Sequence, residues 1–123
     1  MSIAANKELI QRYFDAISGN DKPASLISEF ATDEALHHHI AFFEGAFPHY
    51  ELFIDDLIAE DDKVTVRARF AGTHNGDLMG IAPTGKQAAL PFIIIYRISN
   101  GKIVEHWMAV DQMDLMKQLG VIQ

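Results

Sequence analysis

Apolar positions divide the chain into a helical first part and a strand-rich second part. Between Ala5 and Ser18, residues Leu9, Ile10, Tyr13, Phe14 and Ile17 recur at the spacing of one helix face, and Gly19-Asn20 supplies a stop. Pro23 to Phe30 reads as a short second helix with Pro in its first turn. Thr32 can cap a third, with Asp33 and Glu34 in the first turn, where the helix dipole favours acids. That helix should end near Ala46, because Pro48 pushes Phe47 out of the helical region. Its apolar stripe is Leu36, His39, Ile40, Phe43 and Phe47.

From Tyr50 onward the period shortens to alternation. Glu51 to Glu60 reads as a strand and Asp61-Asp62-Lys63 as a turn. Val64 to His74 alternates, with Val64, Val66, Ala68, Phe70 and His74 on one face and Thr65, Arg67, Arg69 and Thr73 on the other. Asn75 to Lys86 is a loop punctuated by Gly76, Gly80, Pro83 and Gly85. Ala89 to Ser99 and Lys102 to Val110 are strands joined by Asn100-Gly101, a strong hairpin signal. Asp111 then opens a short helix that stops at Gly120. A plain two-residue turn sets Ile98 against Ile103, Tyr96 against Glu105, Ile94 against Trp107 and Phe92 against Ala109. One face then carries Phe92, Ile94, Tyr96, Trp107 and, at its end, Asp111, and the other carries Ile93, Ile95, Arg97, Val104, His106, Met108 and Val110. A bulge would invert the parity beyond it. Both faces are largely apolar, so one covers a core or cavity and the other calls for a second cover, such as another subunit.

The length, 123 residues, fits a single domain over 1–123. The net charge of −7 (10 basic against 17 acidic residues) lacks the footprint of a nucleic-acid or anionic-membrane binder. With no cysteine, disulfide scaffolds, thiolate metal sites and Cys nucleophiles are excluded. The longest apolar run, Ala88 to Tyr96, is too short to span a bilayer, and the first seven residues hold no signal-like apolar stretch. A cytoplasmic protein is the expectation.

Two apparent motifs dissolve on inspection. Gly80-Ile81-Ala82-Pro83-Thr84-Gly85-Lys86 has the spacing of a phosphate loop, but Gln87 stands where Ser or Thr would hold magnesium and a strand follows instead of a helix. His37-His38-His39 diverge around a helix and cannot share one ion, and His38 has Ala41 and Phe42 at the ligand spacings. No metal is expected.

The succession Gly72-Thr73-His74-Asn75-Gly76, Met79-Gly80-Ile81-Ala82-Pro83-Thr84-Gly85-Lys86, Tyr96-Arg97-Ile98, Asn100-Gly101-Lys102-Ile103-Val104-Glu105-His106-Trp107, Asp111 and Gln118-Leu119-Gly120 resembles the SnoaL-like polyketide cyclase (ester cyclase) family. That family lies within the nuclear-transport-factor-two-like superfamily. The likeness implies an α+β fold: a cone-shaped barrel of curved antiparallel sheet wrapped around N-terminal helices, with an internal pocket, and a homodimer through the sheet's outer face. It implies ring closure of a polyketide ester by an intramolecular aldol step, with no cofactor and an aspartate as acid and base. Asp111 is the residue onto which that role carries over, and His74 matches a further position of the family. Fold alone fixes no reaction, since the superfamily also holds isomerases, hydrolases and non-catalytic modules.

Each candidate also has a structural reading. Asp111 is a good N-cap for the last helix as well as a carboxylate beside Trp107 whose pKa desolvation would raise. His74 and His39 lie on apolar faces, where a histidine is either a hydrogen-bonded core residue or a ligand contact. Phe70, Tyr96, Trp107, Tyr13 and Phe14 are core aromatics that double as walls if a cavity exists. Arg67, Arg69 and Arg97 alternate onto the outer face and are expected to pair with acids. The functional expectation is a cofactor-free acid–base enzyme acting on a hydrophobic, carbonyl-bearing small molecule: Asp111 moves the proton and His74 or His39 orients the substrate. The alternative is a non-catalytic module that binds a small apolar ligand.

Overall fold

The structure, a computed structural model, describes residues 2–121. Three helices come first: α1 (Ile3–Ile17), α2 (Ala24–Ser28) and α3 (Glu34–Ala46). Four strands follow, β1 (Glu51–Glu60), β2 (Lys63–Thr73), β3 (Gln87–Ser99) and β4 (Lys102–Val110), and α4 (Gln112–Leu119) closes the chain. The strands form one antiparallel meander in the order β1-β2-β3-β4. The architecture is the expected α+β one, with a correction: the curved sheet stays open instead of closing into a barrel, and the helices fill its hollow side. Among the described residues no helix is long and apolar enough to cross a membrane.

The helices differ from expectation at their ends, for local reasons. α1 starts earlier because Ser2 Oγ accepts the Ala5 amide at 3.0 Å. α2 stops at Ser28, short of Phe30, because the backbone beyond is taken up by β4: the Ile103 amide donates to Phe30 O (2.8 Å) and the Thr32 amide to Ile103 O (2.9 Å). The same pairing removes Thr32 from the cap of α3. Asp33 takes that place, its Oδ1 accepting the Leu36 amide at 3.2 Å.

β1 runs over the predicted residues, and β2 buries Val64, Val66, Ala68 and Phe70 against the helices as its alternation requires. The Asn100-Gly101 turn has both φ angles positive (53° and 74°), the mirror-image turn that matches strand twist. Register is where the sequence reading fails. Ile98 faces Ile103 as expected, but Arg97 faces Glu105, so Val104 is an extra residue in β4. Beyond this bulge Tyr96 faces His106, Ile94 faces Met108 and Phe92 faces Val110. His106, Met108 and Val110 therefore point to the hollow side, and Glu105, Trp107 and Ala109 point outward. On that outer face Arg67 pairs with Asp56, Arg69 with Asp55 and Arg97 with Glu105.

Candidate functional site

Between α3, α4 and the hollow side of the sheet lies a cavity of about 160 Å³. Phe70 of β2, Phe92, Ile94 and Tyr96 of β3, and Met108 and Val110 of β4 supply its floor. Tyr13 of α1, with Leu36, His39 and Phe43 of α3, faces them, and α4 adds Gln112 and Met116. Leu78 and Met79 reach it from the loop 74–86. That loop is pinned at both ends. The Asn75 and Gly76 amides donate to Ala46 O at 3.1 Å, and His74 Nδ1 accepts the Thr84 amide at 3.2 Å.

Of the eight residues singled out from the sequence, the cavity gathers four: Tyr13, His39, Phe70 and Tyr96. Phe14 is buried behind them, edge-on to Tyr13 and Tyr96. His74 is fully buried as a staple of the loop, its Nδ1 accepting the Thr84 amide, and it is not among the residues that line the cavity. Trp107 stands on the outer face, 46% exposed, because the bulge turned it there. Asp111 is exposed and caps α4, its Oδ1 accepting the Asp114 amide at 3.0 Å. The structure thus places Asp111 in its capping role and outside the cavity.

The cavity's electrostatics are simple. No Asp, Glu, Lys or Arg is among its lining residues. Burial, then the neighbouring Tyr96, Tyr50 and Asp33, pushes the Tyr13 hydroxyl well above its ordinary pKa, and burial does the same to Tyr96. Both remain protonated donors. His39 is the basic group present. Burial first, and the neighbouring His106 second, lower its pKa to about 4, so it faces the cavity as a neutral imidazole at ordinary pH. Such a ring keeps a nitrogen lone pair free for a bound molecule, while the apolar walls that leave it uncharged make it a weaker base than a solvated imidazole.

Behind His39 stands a pair that the sequence reading missed. His106 Nδ1 meets Asp33 Oδ2 at 2.7 Å, and the His106 ring centroid is 5.9 Å from that of His39. Asp33 carried a signal, since Asp is at least as good an N-cap as Thr. His106 carried none beyond the possibility of a bulge. A second polar cluster, Asp21, Glu44 and His49, lies elsewhere and is satisfied internally: Lys22 Nζ bonds Glu44 Oε1 and the His49 amide bonds Glu44 Oε2, each at 2.9 Å.

A family model described as SnoaL-like polyketide cyclase matches residues 31–119. The chain belongs to that family. Among its curated relatives are two aklanonic acid methyl ester cyclases. DnrD of Streptomyces peucetius is 31% identical over 94 residues, 75% of this chain and 64% of that protein. DauD of Streptomyces sp. strain C5 is 26% identical over 130 residues, 92% of this chain and 80% of that protein. The alignment with DnrD thus spans less than two thirds of that cyclase's length. Among solved structures, AclR of Streptomyces galilaeus superposes with a TM-score of 0.84 at 26% identity, covering 98% of this chain and 84% of AclR. The SnoaL-like fold and the observed open sheet with its helix-covered hollow thus agree.

Proposed function

We propose that this chain binds a hydrophobic, carbonyl-bearing small molecule in the cavity and acts on it by acid–base chemistry without an added cofactor. The reaction class is intramolecular aldol-type cyclisation, or a related isomerisation or hydrolysis. The observation that carries this reading is His39: a neutral imidazole, pKa about 4, and the one basic side chain in a lining that is otherwise apolar, phenolic or, at Gln112, an uncharged amide. In an aldol closure His39 accepts the proton from the carbon next to a carbonyl. The carbanion attacks the second carbonyl, and the resulting alkoxide takes the proton back. Proton and electrons balance on one ring, so the cycle needs no external partner. The protonated hydroxyls of Tyr13 and Tyr96 can donate to the oxygen that becomes negative. Phe70 and its neighbours bind by apolar contact. Asp111, which the family likeness marked as the acid, serves α4 in this reading. A second copy of the chain is proposed to cover the outer face of the sheet.

The test uses the aklanonic acid methyl ester for which the curated relatives are named. Ring closure is followed by chromatography, because the product is an isomer of unchanged mass. The expected result is turnover that His39→Gln lowers by about 10²-fold or more, with binding retained. Full turnover in His39→Gln would remove the base from His39. One observation favours a second reading, a non-catalytic binding module: no carboxylate lines the cavity. Saturable binding of the ester with no isomerisation, by wild type, would decide for it.

A further inference from the structure

The loop 74–86 carries at its tip a residue unsuited to the backbone there. Leu78 and Ile81 exchange two backbone hydrogen bonds: the Leu78 amide donates to Ile81 O at 3.0 Å and the Ile81 amide to Leu78 O at 2.8 Å. They close a two-residue turn, Met79-Gly80, with both φ angles positive (48° and 86°). Asp77 Oδ2 accepts the Gly80 amide at 3.0 Å and braces the turn. The geometry is that of Asn100-Gly101, the mirror-image turn that favours Asn or Gly at its first position. Among the described residues, the non-glycines with positive φ are His49, Asp61, Asn100 and Met79. The first three are types that tolerate the left-handed region, whereas the long apolar side chain of Met79 is strained in it.

What the strained turn secures is the place of that side chain. Leu78 is fully buried and anchors the turn, while Met79 is 61% exposed and still lines the cavity. A residue that lines a cavity and also meets solvent stands at its mouth. The other exposed lining residues are Phe42 of α3 and Gln112, the first residue of α4. Phe42 is held edge-on against Phe43, ring centroids 5.2 Å apart. Met79 is free to yield, being unbranched with three rotatable bonds. Behind this rim the cavity of about 160 Å³ has room for about one ring, since an apolar cavity of ~150 Å³ holds a benzene. We infer that Met79 is the specificity-determining residue of this cavity: its side chain caps the mouth, and a ligand larger than about one ring has to push it aside. The inference deepens the proposed function and rests on its reading of the cavity as the ligand site, not on His39 as the base.

The test compares two neutral aryl ketones that differ by one fused ring, acetophenone and 2-acetylnaphthalene. Their dissociation constants are measured by NMR chemical-shift titration with wild type, Met79→Gly, Met79→Asn and Met79→Leu. Gly and Asn both accept the left-handed turn, so either variant keeps the loop if the other does not fold. Leu keeps an apolar side chain of similar volume. The ratio of the acetophenone constant to the 2-acetylnaphthalene constant should rise by about tenfold or more in Met79→Gly, as expected when apolar bulk is removed from a pocket. Met79→Asn should move it in the same direction, and Met79→Leu should keep the wild-type ratio. A merely structural turn would change the melting temperature and leave the ratio where it was. An unmoved ratio in the folded Gly or Asn variant overturns the inference, as does a rise of equal size in Met79→Leu. A melting temperature below wild type in both Gly and Asn variants removes the strain on which the assignment is built and overturns it too. If neither ketone binds any of the proteins, the cavity is not the ligand site and the proposed function falls together with the inference. If the ratio rises but wild type turns nothing over, Met79 keeps its role and the catalytic reading alone falls.

Discussion

Gly76 shows how one residue holds the mouth of the cavity in place. A Cβ added there would stand 1.8 Å from the carbonyl oxygen of Gly45, a backbone atom that cannot swing aside. The close approach lets the Asn75 and Gly76 amides share Ala46 O and seats the loop that carries Leu78 and Met79 to the cavity. Gly76→Ala must therefore push the loop off the end of α3, at a cost of about 1–3 kcal/mol. In a domain of this size that is a fall in melting temperature of roughly 4–15 °C. Gly45→Ala is the control. Its Cβ meets nothing within 4 Å, and Ala is favoured over Gly inside a helix by about 0.5–1 kcal/mol. Thermal melts followed by circular dichroism should order the proteins Gly45→Ala, wild type, Gly76→Ala from highest to lowest; equal melting of wild type and Gly76→Ala would contradict the contact.

At the level of elements, α4 gives the sharpest case of a residue with two possible duties. Its cap bond from the Asp114 amide to Asp111 Oδ1 predicts that Asp111→Asn melts with wild type, while Asp111→Ala loses about 1 kcal/mol. An Asn variant melting clearly above wild type would instead mark a carboxylate held against its own stability, as working acids often are. The same elements show what a sequence can and cannot disclose. The limits of β1, the buried face of β2 and the Asn100-Gly101 turn were legible because each depends on local periodicity or local φ preference. The register past Val104 was not, since a bulge adds a residue without altering the alternation of apolar side chains. That single residue exchanged Trp107 for His106 and Met108 on the hollow side, and with them much of the candidate site. Asp33 was hidden for a related reason: Thr32 and Asp33 are both competent caps, and Ile103, some seventy positions away in sequence, decides between them by accepting the Thr32 amide. His39, Tyr13, Phe70 and Tyr96 line the cavity because they sit on regular stripes that no long-range pairing rearranged.

For the molecule as a whole, the sheet's two faces pose different problems. The hollow face is closed by helices, but the outer face leaves Phe53 (38%), Ile93 (48%) and Trp107 (46%) exposed. Cross-strand pairing sets Trp107 beside Ile95, and Ile93 beside Ala109, so the apolar groups on β3 and β4 are contiguous. The Arg67–Asp56, Arg69–Asp55 and Arg97–Glu105 pairs flank them and satisfy the charges around the apolar strip within one chain. Such a strip, apolar at the centre and internally neutralised at its edges, suits a self-complementary two-fold contact, which a second copy of the same face would supply. Trp107 is the chain's single tryptophan and lies on that strip, so its fluorescence reports the contact directly. Sedimentation should give a dimer, and dilution should shift Trp107 emission to the red as the ring returns to water. Trp107→Glu places a charge at the contact while touching nothing on the hollow side. It should sediment as a monomer with unchanged far-ultraviolet circular dichroism, and its His39 imidazole signal, followed by NMR, should titrate as in wild type. A wild-type protein that stays monomeric at high concentration, with Trp107 emission independent of dilution, would remove the second copy from this face.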